Sequence, residues 1–108
     1  MIKRGDIWWV RFASSQGSEI LKDRPAVVIS NDASNLHLSR VQVIPMSRQN
    51  EKVFPCEALV ALNNMPCKAM ADQIATISKS RLINKAGSLK PKELVAVETA
   101  LRIQLNLL

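Results

Sequence analysis

Only one stretch of this chain carries a helical period, and it comes last. Leu94, Val97, Leu101, Leu105 and Leu108 recur at spacings of three, four, four and three, which lays a single apolar stripe along a helix and requires a partner surface to cover it. Pro91 suits the first turn of that helix, Glu93 its positive end and Arg102 its negative end. Nothing before Pro91 repeats at this period, so the partner has to be built from strands.

The strand signals are short and follow one another closely. Asp6 to Phe12, D-I-W-W-V-R-F, is rich in aromatic and β-branched residues and opens after the turn residue Gly5. Ala13 to Arg24 is small and polar without a period, which predicts a mobile loop. Pro25 then starts an uninterrupted apolar run, Ala26 to Ile29. Apolar residues at successive positions fit a central strand buried on both faces, with proline tolerated at its first residue. Asn31 or Asp32 is placed to cap a short helical turn through Asn35. Val41 to Met46 predicts the next strand, Ser47 to Lys52 a polar loop, and Ala58 to Leu62, Cys67 to Ala71 and Ile74 to Ile77 shorter strands, parted by Asn63-Asn64 and Asp72-Gln73. Strands first and one amphipathic helix last imply an α+β, mainly β fold: a small, curled antiparallel sheet packed by a C-terminal helix.

The 108 residues contain no Pro/Gly/Ser-rich linker, so one domain spanning 1–108 is expected. Only 4% of them are aromatic, against 47% hydrophobic, so the core must come from aliphatic side chains closed by Trp8 and Trp9. A chain this small buries only about 60–70% of its unfolded surface, which makes a homodimer a reasonable expectation.

Fifteen Lys and Arg against nine Asp and Glu, a formal charge of +6, suit a polyanionic partner. RNA, DNA and an acidic protein all qualify. Cys56 and Cys67 have no C-x-x-C partner and no secretory signature accompanies them, which points to a reduced, cytoplasmic protein. No apolar run approaches the ~20 residues of a membrane span.

Residue inventory narrows the chemistry further. His37 is the only histidine, so two imidazoles cannot share acid and base roles in one subunit, and no G-x-S-x-G motif offers it a nucleophile. It reads as an ordinary surface residue. The chain has no D-x-D, H-E-x-x-H or C-x-x-C, so neither a two-metal centre nor a structural zinc is indicated, and no cofactor is expected. A metal-free reaction is open to RNA, whose own 2′-hydroxyl can attack the neighbouring phosphorus. Such a site needs a guanidinium on the phosphate, a short polar side chain at the hydroxyl and a proton donor for the leaving oxygen. Arg24, between the polar segment and the apolar run, is the best-placed candidate for the grip; a structural ion pair with Asp23 is the competing reading.

Several ordered fragments carry a more specific message. R-G-D-I-W-W-V at Arg4 to Val10, G-S-E at Gly17 to Glu19, R-P-A-V-V-I-S-N-D at Arg24 to Asp32, V-I-P-M-S at Val43 to Ser47, A-D-Q-I-A-T-I at Ala71 to Ile77 and S-R-L at Ser80 to Leu82 together resemble the MazF/PemK (Kid) toxin family. The likeness runs through essentially the whole chain. It implies a dimer of SH3-like barrels that binds single-stranded RNA in interface grooves, cuts it without metal to leave 2′,3′-cyclic phosphate and 5′-hydroxyl ends, and is restrained by a MazE-like antitoxin.

By position, the resemblance makes Arg24 the arginine that acts on the phosphate and as general acid. Ser47 falls where many members have a catalytic threonine, and Glu19 at a position tied to RNA handling, a candidate base. Asp72 and Gln73 match the family's D-Q pair at the RNA. The Kid branch has an arginine two residues before that aspartate; Met70 stands there in this chain, which favours a centre built on Arg24 and Ser47. Lys22, Lys68, Lys79 and Arg81 are candidates to line the RNA path, and either tryptophan for base stacking. The alternative within a similar fold is a CcdB-like toxin that binds DNA gyrase without cutting RNA. That group ends in Trp-Gly-Ile, whereas this chain ends Leu105-Asn106-Leu107-Leu108.

Overall fold

The computed structural model describes residues 1–13, 21–48 and 52–107. The elements are β1 (Asp6–Ala13), β2 (Leu21–Val28), α1 (Asp32–His37), β3 (Arg40–Arg48), β4 (Glu57–Leu62), β5 (Met65–Met70), β6 (Ala75–Ser78), β7 (Leu82–Ser88) and α2 (Pro91–Leu105), with single 3-10 turns at Ala71–Gln73 and Lys79–Arg81. The strands form one antiparallel sheet in the order β4-β5-β3-β2-β1-β7, and β6 joins it on β3. It is the expected mainly β, curled sheet closed by a terminal helix.

β3 makes the curl. Its first half, Arg40–Val43, pairs with β6; Val43–Pro45 pairs with β2; its end, Met46–Arg48, leaves β2 and pairs with β5. Side chains alternate along a strand, so this one element feeds two cores. Ile44 and Met46 enter the core beneath α2 with Ile7, Val27 and Val60. Val41 and Val43 face the other way, with Val10, Ala26, Val28 and Ile77. The apolar run Ala26–Val28 serves both, as its lack of alternation predicts.

Turn chemistry places the elements. Gly5 has φ +90°, a left-handed conformation natural to glycine, and its N–H donates to the Val28 carbonyl at 2.8 Å. Asn63 and Asn64 both have positive φ, 52° and 64°, the requirement of a two-residue hairpin whose twist matches its strands, and they join β4 to β5 at Leu62↔Met65. Asn31 caps α1 by accepting from the Ser34 N–H at 2.8 Å, as expected of that position. Glu93 ties α2 to the sheet edge: one carboxylate oxygen accepts from the Lys90 N–H at 2.8 Å and the other from the Ala61 N–H at 2.7 Å. Ala61 needs that partner because β4 is the end strand of the sheet, where an outward N–H meets no neighbouring strand carbonyl.

Three expectations change, and one strand was not foreseen. Lys22, Asp23 and Arg24 belong to β2 rather than to a loop, because Asp23 pairs across the ladder with Arg11 at 3.1 Å and charges suffice where a strand end meets water. Ser47 likewise lies in β3, whose last residues are held by β5. β7 carries no alternation to announce it; it is an edge strand that borrows its order from β1, with register shifts along the way. The stripe on α2 is packed only through Leu94, Val97, Ala100 and Leu101, while Ile103 and Leu105 are half exposed. Leu108 lies outside the described residues.

Candidate functional site

Two of the predicted site residues, Arg24 and Ser47, stand where β2 and β3 part. The last registered pair of those strands is Ala26↔Pro45. Arg24 and Ser47 stand two residues beyond it, one on each strand, so alternation sets both side chains on the face of Ala26 and Pro45. Lys22 follows Arg24 on that face, exposed at the strand end. Lys68 is directly opposite Ser47 on β5, and Met70 lies two residues on, on the same side. By register and alternation, Lys22, Arg24, Ser47 and Lys68 thus share one face of the sheet.

Arg24 is half-buried. The competing partner Asp23 points to the opposite face and is engaged by Arg11, whose pKa is raised by the hydrogen bond to Asp23 and then by its charge. Ser47 is also half-buried, and its Oγ lies 3.7 Å from the sulfur of Met70. That sulfur is 3.6 Å from Nε2 of Gln73, which the 3-10 turn brings alongside. Asp72 is exposed on the same turn.

The remaining candidates are more committed to the protein. Nζ of Lys68 pairs with Glu57 at 3.3 Å, with side chains 13% and 9% exposed, so any phosphate it receives must share it with a carboxylate. Nη1 of Arg81 donates to the Arg11 carbonyl at 3.1 Å, on the far side of β1 from Arg24. Lys79 is half-buried in the neighbouring turn and His37 is exposed on α1. Glu19 lies outside the described residues. Among the described residues no three His, Cys, Asp or Glu side chains are grouped to hold a metal.

The two tryptophans part as strand neighbours must. Trp8 packs on the core with Val10 and Ala26, its Nε1 donating to Asp6 at 3.4 Å, whereas Trp9 is 36% exposed on the opposite face. There it walls an open pocket of about 330 Å³ with Pro25, Met46, Leu62, Met65 and Cys67. Ser47 and Arg48 line the same pocket, so Trp9 and Ser47 border one opening. Burial pushes the Cys67 thiol up from its ordinary pKa.

Met70 is the member that sequence reasoning passed over, as a mere departure from a branch pattern. Its spacing of two from Lys68 was the available signal, since it puts both on one side of a strand.

Comparison with known proteins identifies the family. The family profile described as "PemK-like, MazF-like toxin of type II toxin-antitoxin system" matches residues 3–105. The chain is 35% identical over 116 residues to Endoribonuclease MazF9 of Mycobacterium tuberculosis, covering 99% of this chain and 98% of the relative. It is 31% identical over 100 residues to the Endoribonuclease toxin MazF of Escherichia coli K12, covering 92% and 89%. Its fold superposes, with a TM-score of 0.82 at 21% identity over 100% of this chain and 98% of the other, on an endoribonuclease solved in complex with its cognate antitoxin from a mycobacterial species.

Proposed function

Because this chain belongs to the PemK-like, MazF-like toxin family of type II toxin-antitoxin systems, we propose that it is a sequence-selective, ribosome-independent endoribonuclease, one toxin domain over residues 1–108, that cuts single-stranded RNA in the cytoplasm and so blocks translation and growth. The observation that carries the reading is the juxtaposition of Arg24 and Ser47 on one face where β2 and β3 separate.

The chemistry follows from that placement. The Arg24 guanidinium presents paired donors to the non-bridging phosphate oxygens, where negative charge grows as the fifth bond to phosphorus forms. Ser47 positions the ribose 2′-hydroxyl. Loss of its proton to a base, for which Glu19 is the candidate, lets the 2′-oxygen attack phosphorus; the 5′-oxygen departs, taking a proton from Arg24 as general acid. The products are a 2′,3′-cyclic phosphate and a 5′-hydroxyl, and neither metal nor cofactor enters. DNA, lacking the 2′-oxygen, cannot react. Lys22, Lys68, Asp72, Gln73 and Arg81 are assigned to the path of the strand. The half-exposed apolar end of α2 supports association into a homodimer.

The net charge of +6 also suits an acidic antitoxin of the MazE kind, lying in the groove that RNA would use. Antitoxin and RNA are then expected to compete. No observation favours the gyrase-binding alternative.

Incubation of the purified protein with a long RNA in EDTA, followed by mapping of the cut ends, tests the reading. Cuts with 2′,3′-cyclic phosphate termini, lost in a folded Arg24→Ala variant, are expected. RNA left intact under all conditions, or cutting that survives the substitution, overturns it.

A further inference from the structure

The parting of β2 and β3 leaves a space that the reaction just described does not use. Beyond Ala26↔Pro45, β2 stays with β1 and β3 turns to β5, so no registered pair joins them there. The open pocket of about 330 Å³ lies in that fork. Trp9 and Pro25, a cross-strand pair, form one bank, and Ser47 and Arg48 at the end of β3 form the other. Asn63 and Met65 of the β4–β5 hairpin close the far end.

The lining suits a flat aromatic ring. Trp9 is 36% exposed and Met65 43%, so an indole and a thioether wall stand open to solvent. Ligand pockets of ~300–1,000 Å³ have apolar walls and a few polar groups, and this one, at the small end, is sized for one ring system. Its polar groups include Arg48 and Asn63, both exposed on the rim. Arg48 stands directly opposite Cys67; burial raises the pKa of that thiol, and the charge of Arg48 offsets part of the rise, which puts the guanidinium on the pocket side. A guanidinium there prefers a ring edge with two adjacent acceptors. N7 and O6 of guanine present them, whereas adenine carries an amino group beside N7.

Ser47 ties this pocket to the cut. A nucleoside whose 2′-hydroxyl lies at Ser47 carries its base on C1′, the neighbouring carbon, so that base is the one within reach of the opening Ser47 borders. Arg24, next to Pro25 on the opposite bank, meets the phosphate that follows. We propose that the Trp9 pocket is a nucleobase subsite for the nucleotide on the 5′ side of the cut, with the base stacked on Trp9 and guanine selected by Arg48. The proposal rests on the endoribonuclease reading and deepens it by naming the base: the cut ends carry guanosine 2′,3′-cyclic phosphate.

The test uses short RNAs that differ only in the base 5′ of a mapped cut. Guanine and hypoxanthine, which both keep N7 and O6, give similar kcat/KM. Adenine lowers it about tenfold to a hundredfold, the usual discrimination of a bidentate arginine, and 7-deazaguanine by part of that. Arg48→Gln lowers cutting at guanine to the level of adenine, a change of preference that partial unfolding cannot mimic. Trp9→Leu raises KM about tenfold whatever the base.

Binding without turnover is read in Trp8→Phe protein, whose remaining indole is Trp9. Saturating RNA with a 2′-deoxyguanosine in place of the attacking nucleotide quenches its fluorescence. Equal cutting after every base, preference for another base, or a guanine preference that Arg48→Gln leaves unchanged overturns the proposal. So does Trp9 fluorescence that bound RNA does not alter, the result of a second copy or a peptide filling the pocket. Parent protein that cuts no RNA overturns the endoribonuclease reading and this proposal with it. Parent that cuts without regard to the base 5′ of the cut overturns this proposal alone.

Discussion

The two faces of the curled sheet are finished in opposite ways. Beneath α2, Ile7, Val27, Ile44, Val97 and Ala100 are sealed, and the helix is tied down by Glu93 on β4 and by the Arg4–Glu98 pair at 2.7 Å. The other face is equally dry at Val10, Val28 and Val43, but along β2 and β3 its row continues into Arg24 and Ser47. A closed core thus acts as the rigid floor for an open polar end. The lesson is that stability and activity should separate by face although the same strands serve both.

The largest effect tests the open end. Arg24→Ala should lower kcat by at least about 10²–10³-fold, the usual cost of losing a preorganised donor to developing charge, with the urea midpoint near that of the parent. A variant that unfolds instead would merge the two faces into one. Ile44→Ala is the converse: it should cost about 2–5 kcal/mol in urea unfolding while the folded fraction keeps its turnover per site.

Smaller effects sharpen the contrast. Glu93→Gln should destabilise by about 1–2 kcal/mol, since a charged acceptor serving two backbone N–H groups is replaced by a neutral amide with one oxygen. A double-mutant cycle on Arg4 and Glu98, whose side chains are about one-third exposed (31% and 29%), should give a coupling of only about 0.5–1 kcal/mol. Last, Cys67 should resist alkylation in native protein at mildly alkaline pH and react on unfolding, because burial holds it as a thiol. The sign of the linked pH effect follows: with its folded pKa raised, Cys67 contributes a loss of stability as pH rises through the ordinary thiol range, and none below it.

Much of this molecule was legible in advance for reasons that are local. The Ala26–Ile29 run announced a strand buried on both sides, Asn63-Asn64 a turn, Asn31 or Asp32 a cap, and the spacing from Leu94 to Leu101 a helix face. Each signal rests on a period or on a backbone preference that a few adjacent residues express by themselves. β7 was illegible because an edge strand takes its order from its neighbour, and Lys22–Arg24 passed for a loop because a hydrated strand end is polar.

By itself, then, the sequence determined the types of element, their order, the basic charge and, through several ordered motifs, the family. Tertiary structure alone decided which arginine takes Asp23, which tryptophan is buried, and that Met70 meets Ser47 and Gln73 around one sulfur. The physical reason is range: period and propensity act over a few residues, whereas Ser47 and Met70, 23 positions apart, meet only because β3 curls from one neighbour to the next.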